Sequence, residues 1–307
     1  MKRNPTLKAT IMLTTLITVV SLTGCLNSDN DNSAPMGGLT IAVTDSPIDD
    51  ASAVWIQFVG VTLHDIDGYE TEVIFDEPKL IDLLSLQGSN SEKILIEHSV
   101  QSGNYSFVTF NIDFNASSIV INATSYSLEP AYPDGYWKSL YQNLILSNSV
   151  ELPIRPFTIT ENITTHLTFD FDLRKSIYDA GISNIYSFFP AIRSVTTDEA
   201  GSIAGNIDSG IYFNTTNCIA ENSAIYIFSG NGQSLRDTRG TSGDPFSTSN
   251  ITNTNTYELG FLPAGDYTVA IACNSSEDTV DNTEIMLFKG KQNISVSIGE
   301  TANGDFL

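Results

Sequence analysis

Apolar residues recur at every second position along most of this chain, and that period decides what it can fold into. Leu39, Ile41 and Val43 alternate with Thr40, Ala42 and Thr44. Val54, Ile56 and Phe58 repeat the pattern, as do Val108, Phe110, Ile112 and Phe114. Successive side chains of an extended strand point to opposite faces, so this period marks strands that bury one face. Leu167, Phe169, Phe171 and Leu173 are the sharpest case. Thr168, Asp170, Asp172 and Arg174 then share the other face, expected to be a solvated charge ladder. Helical candidates are short, around Pro78 to Leu86 and Tyr136 to Leu146. The expectation is an all-β chain of two antiparallel β-sandwich domains.

The first of these spans 38–197 and the second 198–307, with Thr196 to Ala200 as the joint. After the joint a new set of β patterns begins at Gly201-Ser-Ile-Ala-Gly205. It continues through Ala224 to Phe228, Thr256 to Ala270 and Asn293 to Ile298. Pro263-Ala264-Gly265-Asp266 has the chemistry of a tight turn. The stretch from Ser229 to Asn255 is rich in Gly, Ser, Thr and Asn and reads as a long mobile loop.

Ahead of the strands, Lys2, Arg3 and Lys8 precede an apolar run from Ala9 to Leu22 that closes on Leu22-Thr23-Gly24-Cys25. The run is short for a membrane span and has the layout of a secretory signal over 1–24. Its end resembles the bacterial lipoprotein lipobox. That resemblance implies cleavage before Cys25 and acylation of its sulfur with diacylglyceryl and palmitate-type chains. Leu26 stands where an Asp resembles an inner-membrane retention signal, so the resemblance favours the outer membrane, on its periplasmic face or the cell surface. Residues 25–37, which include the polar stretch Asn27 to Pro35, read as a flexible tether. Loss of the signal leaves 11 Lys+Arg against 36 Asp+Glu and moves the formal charge from −22 to −25. Such a chain repels nucleic acid and anionic headgroups, so the membrane partner is reached through acyl chains alone. With Cys25 committed to lipid, a disulfide between Cys218 and Cys273 is the expected state of the other two thiols in an exported chain.

Longer stretches carry a family resemblance. Gly38 to Pro47, Asp49-Asp50-Ala51, Ile81 to Gly88, Leu167 to Ser176 and Phe189 to Arg193 together resemble the bacterial domain of unknown function DUF4382. Val150 to Phe157 departs from that pattern. Gly201-x-Ile-x-Gly205 and Tyr257 to Tyr267 are similar to the transthyretin-like or carboxypeptidase-regulatory-like sandwich, which is grouped with carbohydrate-binding-like folds. Neither resemblance implies a catalytic activity.

Three constellations bear chemistry. Asp45, Asp49 and Asp50 lie in one connection and are candidate Ca²⁺ ligands, although Asp side chains beside Ser46-Pro47 equally serve turns. Asp170 and Asp172 are a candidate carboxylate pair for a metal-dependent hydrolase, with structural neutralisation by Arg174 and Lys175 the favoured reading. Tyr132, Tyr136 and Trp137 form an aromatic cluster of the kind that sugars stack on, or that simply packs over a loop. His64, His98 and His166 are scattered, and no nucleophile elbow or phosphate loop is present. The expectation is a non-enzymatic, membrane-anchored envelope lipoprotein acting as a binding module for a glycan or an envelope protein. The alternatives are a carbohydrate-binding lipoprotein for polysaccharide capture and the hydrolase.

Overall fold

The computed structural model describes residues 34–130, 149–151, 156–182, 184–189, 191–213, 217–239, 243–280 and 283–307. Cys25, the signal segment, most of the tether, the aromatic cluster Tyr132, Tyr136 and Trp137, and the second helical candidate all lie outside the described residues. Ala34 to Leu307 form one compact unit containing two large, separate apolar cores.

In the N-terminal half, one sheet runs β13 (Ile192–Thr196), β10 (Thr164–Asp172), β1 (Met36–Ser46), β4 (Glu92–Gln101). The other runs β11 (Ile177–Ile182), β12 (Ile185–Phe188), β7 (Thr124–Pro130), β6 (Ser118–Ile121), β2 (Ala53–Asp65), β5 (Gly103–Ile112), β8 (Ser149–Glu151). Strand β3 (Glu70–Asp82) lies along the free side of β2, and β9 (Phe157–Ile159) joins β5. The alternating residues do what their period requires. Leu39, Ile41 and Val43 meet Val54, Ile56 and Phe58 from the opposite sheet in one core. Phe110 sits edge-on to Phe58, Phe169 and Phe171 at ring centroid distances of 5.8, 5.0 and 5.4 Å. Each such fully buried side chain contributes about 1.5–3 kcal/mol.

Most pairs are antiparallel, but β1 and β10 run parallel at the centre of their sheet. The long chain between them, which builds nearly all of the second sheet, is the crossover that a parallel pair requires. Of the first helical candidate only a short 3-10 turn, Leu83–Leu86, exists. Pro78 instead lies in β3, whose pairing to β2 alone leaves a free edge where a missing N–H is tolerated.

The C-terminal half packs β17 (Thr256–Pro263), β14 (Ala200–Asn206) and β20 (Thr301–Asn303) against β16 (Ser247–Asn250), β15 (Ala224–Ser229), β18 (Gly265–Ala272) and β19 (Phe288–Val296). The Cys218–Cys273 disulfide is formed and lies within this core. Ala224 to Phe228 is a continuous apolar run because its sheet is covered on both faces: Ile225 and Ile227 enter the main core, while Tyr226 and Phe228 join a satellite cluster with Leu235 and Phe288. The supposed mobile loop is largely pinned. Its Ser247–Asn250 segment is β16, Asp237 and Thr238 are buried, and the Gln233 and Thr238 amides donate to Thr268 Oγ1 and Asp278 Oδ1, both at 2.9 Å. The backbone of this polar stretch finds side-chain acceptors on β18 and just after it, and is held by them. Among the described residues no helix is long and apolar enough to cross a membrane.

Candidate functional site

The expected solvated ladder on β10 is buried. Asp170, Asp172 and Arg174 are only 3, 7 and 3% exposed. Their face does turn away from the N-terminal core, as the period of two demands, but the C-terminal half covers it. A local pattern cannot distinguish a face that meets water from one that meets another polar surface.

The result is a seam of charge and hydrogen bonds between the halves. Arg193, opposite Asp170 in the register of β13 and β10, forms an ion pair with it. Arg193 Nη1 also donates to Phe261 O at 2.6 Å, and its guanidinium lies 5.0 Å from the Phe246 ring centroid. Ser46 Oγ donates to Asp170 Oδ2 at 3.0 Å and lies 2.6 Å from Ser247 Oγ across the seam. Asp172 begins the helical turn Leu173–Ser176 and accepts from the Lys175 backbone amide at 3.2 Å. Lys175 Nζ bonds Asp172 Oδ2 at 2.5 Å and donates to Pro245 O at 2.6 Å. Arg174 Nη2 pairs with Asp49 at 2.9 Å, and its Nη1 donates to Ser275 O at 2.7 Å. Its guanidinium sits 5.5 Å from the Tyr226 ring centroid, within cation–π range. Tyr226 OH in turn donates to Asp278 Oδ2 at 2.6 Å.

The carboxylates singled out for a hydrolase are therefore each neutralised by a separate cation, Asp170 by Arg193 and Asp172 by Lys175. The proposed calcium set is not a cage either. Asp45 pairs in register with Phe171, on the core-facing side of the sheet, whereas Asp49 is held by Arg174. Among the described residues no group of three or more His, Cys, Asp or Glu side chains is placed to hold a metal ion. Asp45 is 5% exposed and neither carboxylate oxygen has a hydrogen-bond partner among the described residues. Burial first, then Asp170, Asp172 and Asp82, pushes its carboxyl well above the ordinary Asp range. His64 is likewise structural: it stacks on Phe107 at 4.0 Å and bonds Thr109 at 2.9 Å.

Beside the Arg174 pairing the halves part to leave a cleft of about 660 Å³. Ile48, Ile121 and Ile177 give it an apolar lining, and Tyr178 and Tyr186 contribute ring surface. Polar groups come from three connections and one strand. Asp49 and Asp50 follow β1, and Asn122 comes from the turn between β6 and β7. Asp179 lies on the β11–β12 hairpin, and Ser276, Asp278 and Thr279 follow β18. Asn122 and Ala123 have φ of 49 and 61°, the left-handed pair that a two-residue hairpin turn needs. Burial, then Asp179, Tyr126 and Asp50, raises the Tyr186 hydroxyl above its ordinary range, so it remains a donor at neutral pH. The aromatics of this cleft were not the ones singled out from sequence. The available signal was the pair Tyr178 and Tyr186 flanking an Asp-Ala-Gly and Ser-Asn turn.

The family model described as "Domain of unknown function (DUF4382)" matches residues 36–190. No curated relative matches the chain. Among solved structures, the Bacillus anthracis TIE protein is 13% identical, with a TM-score of 0.22 over 88% of this chain and 34% of that one, so the chain spans about a third of its length. GBS52, the minor pilin of Streptococcus agalactiae, is 8% identical, with a TM-score of 0.20 over 87% of this chain and 94% of that one. BcpA, the major pilin subunit of Bacillus cereus, is 11% identical, with a TM-score of 0.20 over 88% and 98% of the two chains. Scores of this size do not establish a common topology.

Proposed function

The chain belongs to the DUF4382 family, and from that premise we propose that it is a lipid-anchored lipoprotein of the cell envelope, a non-enzymatic module that binds a partner at the cleft between its two sandwiches. One observation carries the reading. The chain's most enzyme-like carboxylates, Asp170 and Asp172, are buried in ion pairs with Arg193 and Lys175, cations that also donate to carbonyls of the other half, and the docked halves leave an accessible cleft beside Arg174. Groups tied up in this way hold a scaffold; they are not free to move protons. The anchor rests on the Lys2 to Cys25 segment. Two acyl chains, at about 0.8 kcal/mol per buried methylene, suffice for stable attachment. The tether then carries the folded unit away from a surface that repels its net charge.

Radiolabelled palmitate tests the anchor. Label should enter the wild-type chain and be absent from Cys25→Ala, which should leave the membrane fraction. Label retained by Cys25→Ala would refute it. For the non-enzymatic reading, a hydrolase screen should find no activity that is lost in the Asp170→Asn, Asp172→Asn double variant while the fold is retained.

A further inference from the structure

Resting on that binding-module reading, we propose that the ligand of the cleft is a neutral saccharide, seated with its C–H face on the isoleucines and tyrosine rings and its hydroxyls on the surrounding carboxylates and amide. The argument is one of matching functional groups. The lining alternates apolar patches, Ile48, Ile121 and Ile177, with acceptors, Asp50 and Asp179, and with groups that donate, Asn122 and the Tyr186 hydroxyl. A ligand that satisfies all three must present apolar surface and must both donate and accept over short distances. A sugar ring does this. Its C–H face stacks on aromatic rings, and its hydroxyls donate to carboxylates and accept from amide and phenol.

The other small-ligand classes fit less well. An anionic ligand meets Asp50 and Asp179. A metal ion lacks a ligand set among the described residues. An ammonium only donates, so it leaves Asn122 and Tyr186 without an acceptor, and three carboxylates of the lining are already engaged, Asp179 through one oxygen, which accepts from the Gly181 amide at 2.8 Å. Asp49 is held by Arg174, and Asp278 accepts from Tyr226 and Thr238. The volume falls within the range of about 300–1,000 Å³ typical of small-molecule sites. Asp179 lies directly opposite Tyr186 in the register of β11 and β12, so the two residues are neighbours on one hairpin.

The test is calorimetric titration of the full chain, purified in a zwitterionic detergent so that no sugar-headed detergent competes. The probes are maltose, cellobiose, lactose and diacetylchitobiose, with galacturonic acid and spermidine as charged comparisons. At least one neutral disaccharide should bind saturably, and its affinity should fall tenfold or more in both Asp179→Asn and Tyr186→Ala. Asp179 is exposed, so the melting temperature of Asp179→Asn should stay close to wild type, whereas Tyr186 packs against the first core and edge-on to Tyr126 and its loss is expected to lower it. Asp179→Asn keeps the shape of the side chain and serves as the control should Tyr186→Ala fold poorly. Saturable binding that neither variant weakens would overturn the proposal, as would the absence of binding by every disaccharide. Spermidine binding that Asp179→Asn abolishes, with no saccharide bound, would sink the saccharide assignment and leave the cleft as a site. Silence from every probe would remove this ligand class without touching the anchor, which the palmitate experiment decides alone.

Discussion

Asp45 holds its carboxyl among side chains of the first core, without a hydrogen-bond partner among the described residues. Its pKa is raised chiefly by burial. Near pH 3 the unfolded and native chains both carry this proton, so the site costs nothing extra. As pH climbs past about 3.9 the unfolded chain releases the proton while the native one keeps it. Stability contributed by this group therefore falls as pH rises through that window. Asp45→Asn removes the penalty, so its melting temperature should exceed wild type at about pH 7 and match it at about pH 3. Equal shifts at both values would show that the effect is not protonic. Arg193 sits at the opposite electrostatic extreme. Removing it strands the buried Asp170 carboxylate, and Arg193→Met should cost about 3–5 kcal/mol in urea unfolding. A loss below about 1 kcal/mol would class the pair with exposed salt bridges.

Strand β17 brings Gly260 against Gly88 of the other half. A Cβ built there would lie 2.3 Å from the Gly88 carbonyl oxygen and 2.9 Å from Ser89 Cα. The contact is backbone to backbone, so no side chain can swing aside. Ser89 donates beside it to Glu258. Gly260→Ala should therefore force the halves apart at this point, seen as loss of amide protection around Ser89 and Glu258 by hydrogen exchange. Unchanged protection would show that the strands can slide. The Cys218–Cys273 bridge acts within one half only. Its loss in the Cys218→Ser, Cys273→Ser double variant should lower stability by about 4 kcal/mol in the loop-entropy account. At this scale the sequence was legible wherever one face met an apolar core, as Leu39 to Val43 and Leu167 to Leu173 show. It misled at Pro78, where an edge strand tolerates what a central strand rejects. It misled again at Ser229 to Asn255, where a polar stretch is held by hydrogen bonds to Thr268 and Asp278.

The whole molecule depends on a relation that no local window contains. Asp170, Asp172 and Arg174 are legible as one polar face, Arg193 is not, and the groups that meet the seam from the other half, Ser247 at Ser46, Pro245 at Lys175, Ser275 at Arg174 and Phe261 at Arg193, come from a region that the sequence treats as separate. The cleft was illegible for the same reason, since Asn122, Asp179 and Asp278 meet only when both halves are in place. If the seam holds the halves as the geometry indicates, they should unfold together rather than one after the other. Differential scanning calorimetry of the full chain measures this directly. The account predicts one cooperative transition in the wild type that splits into two when Arg174→Met and Arg193→Met are combined; two independent transitions in the wild type would contradict it.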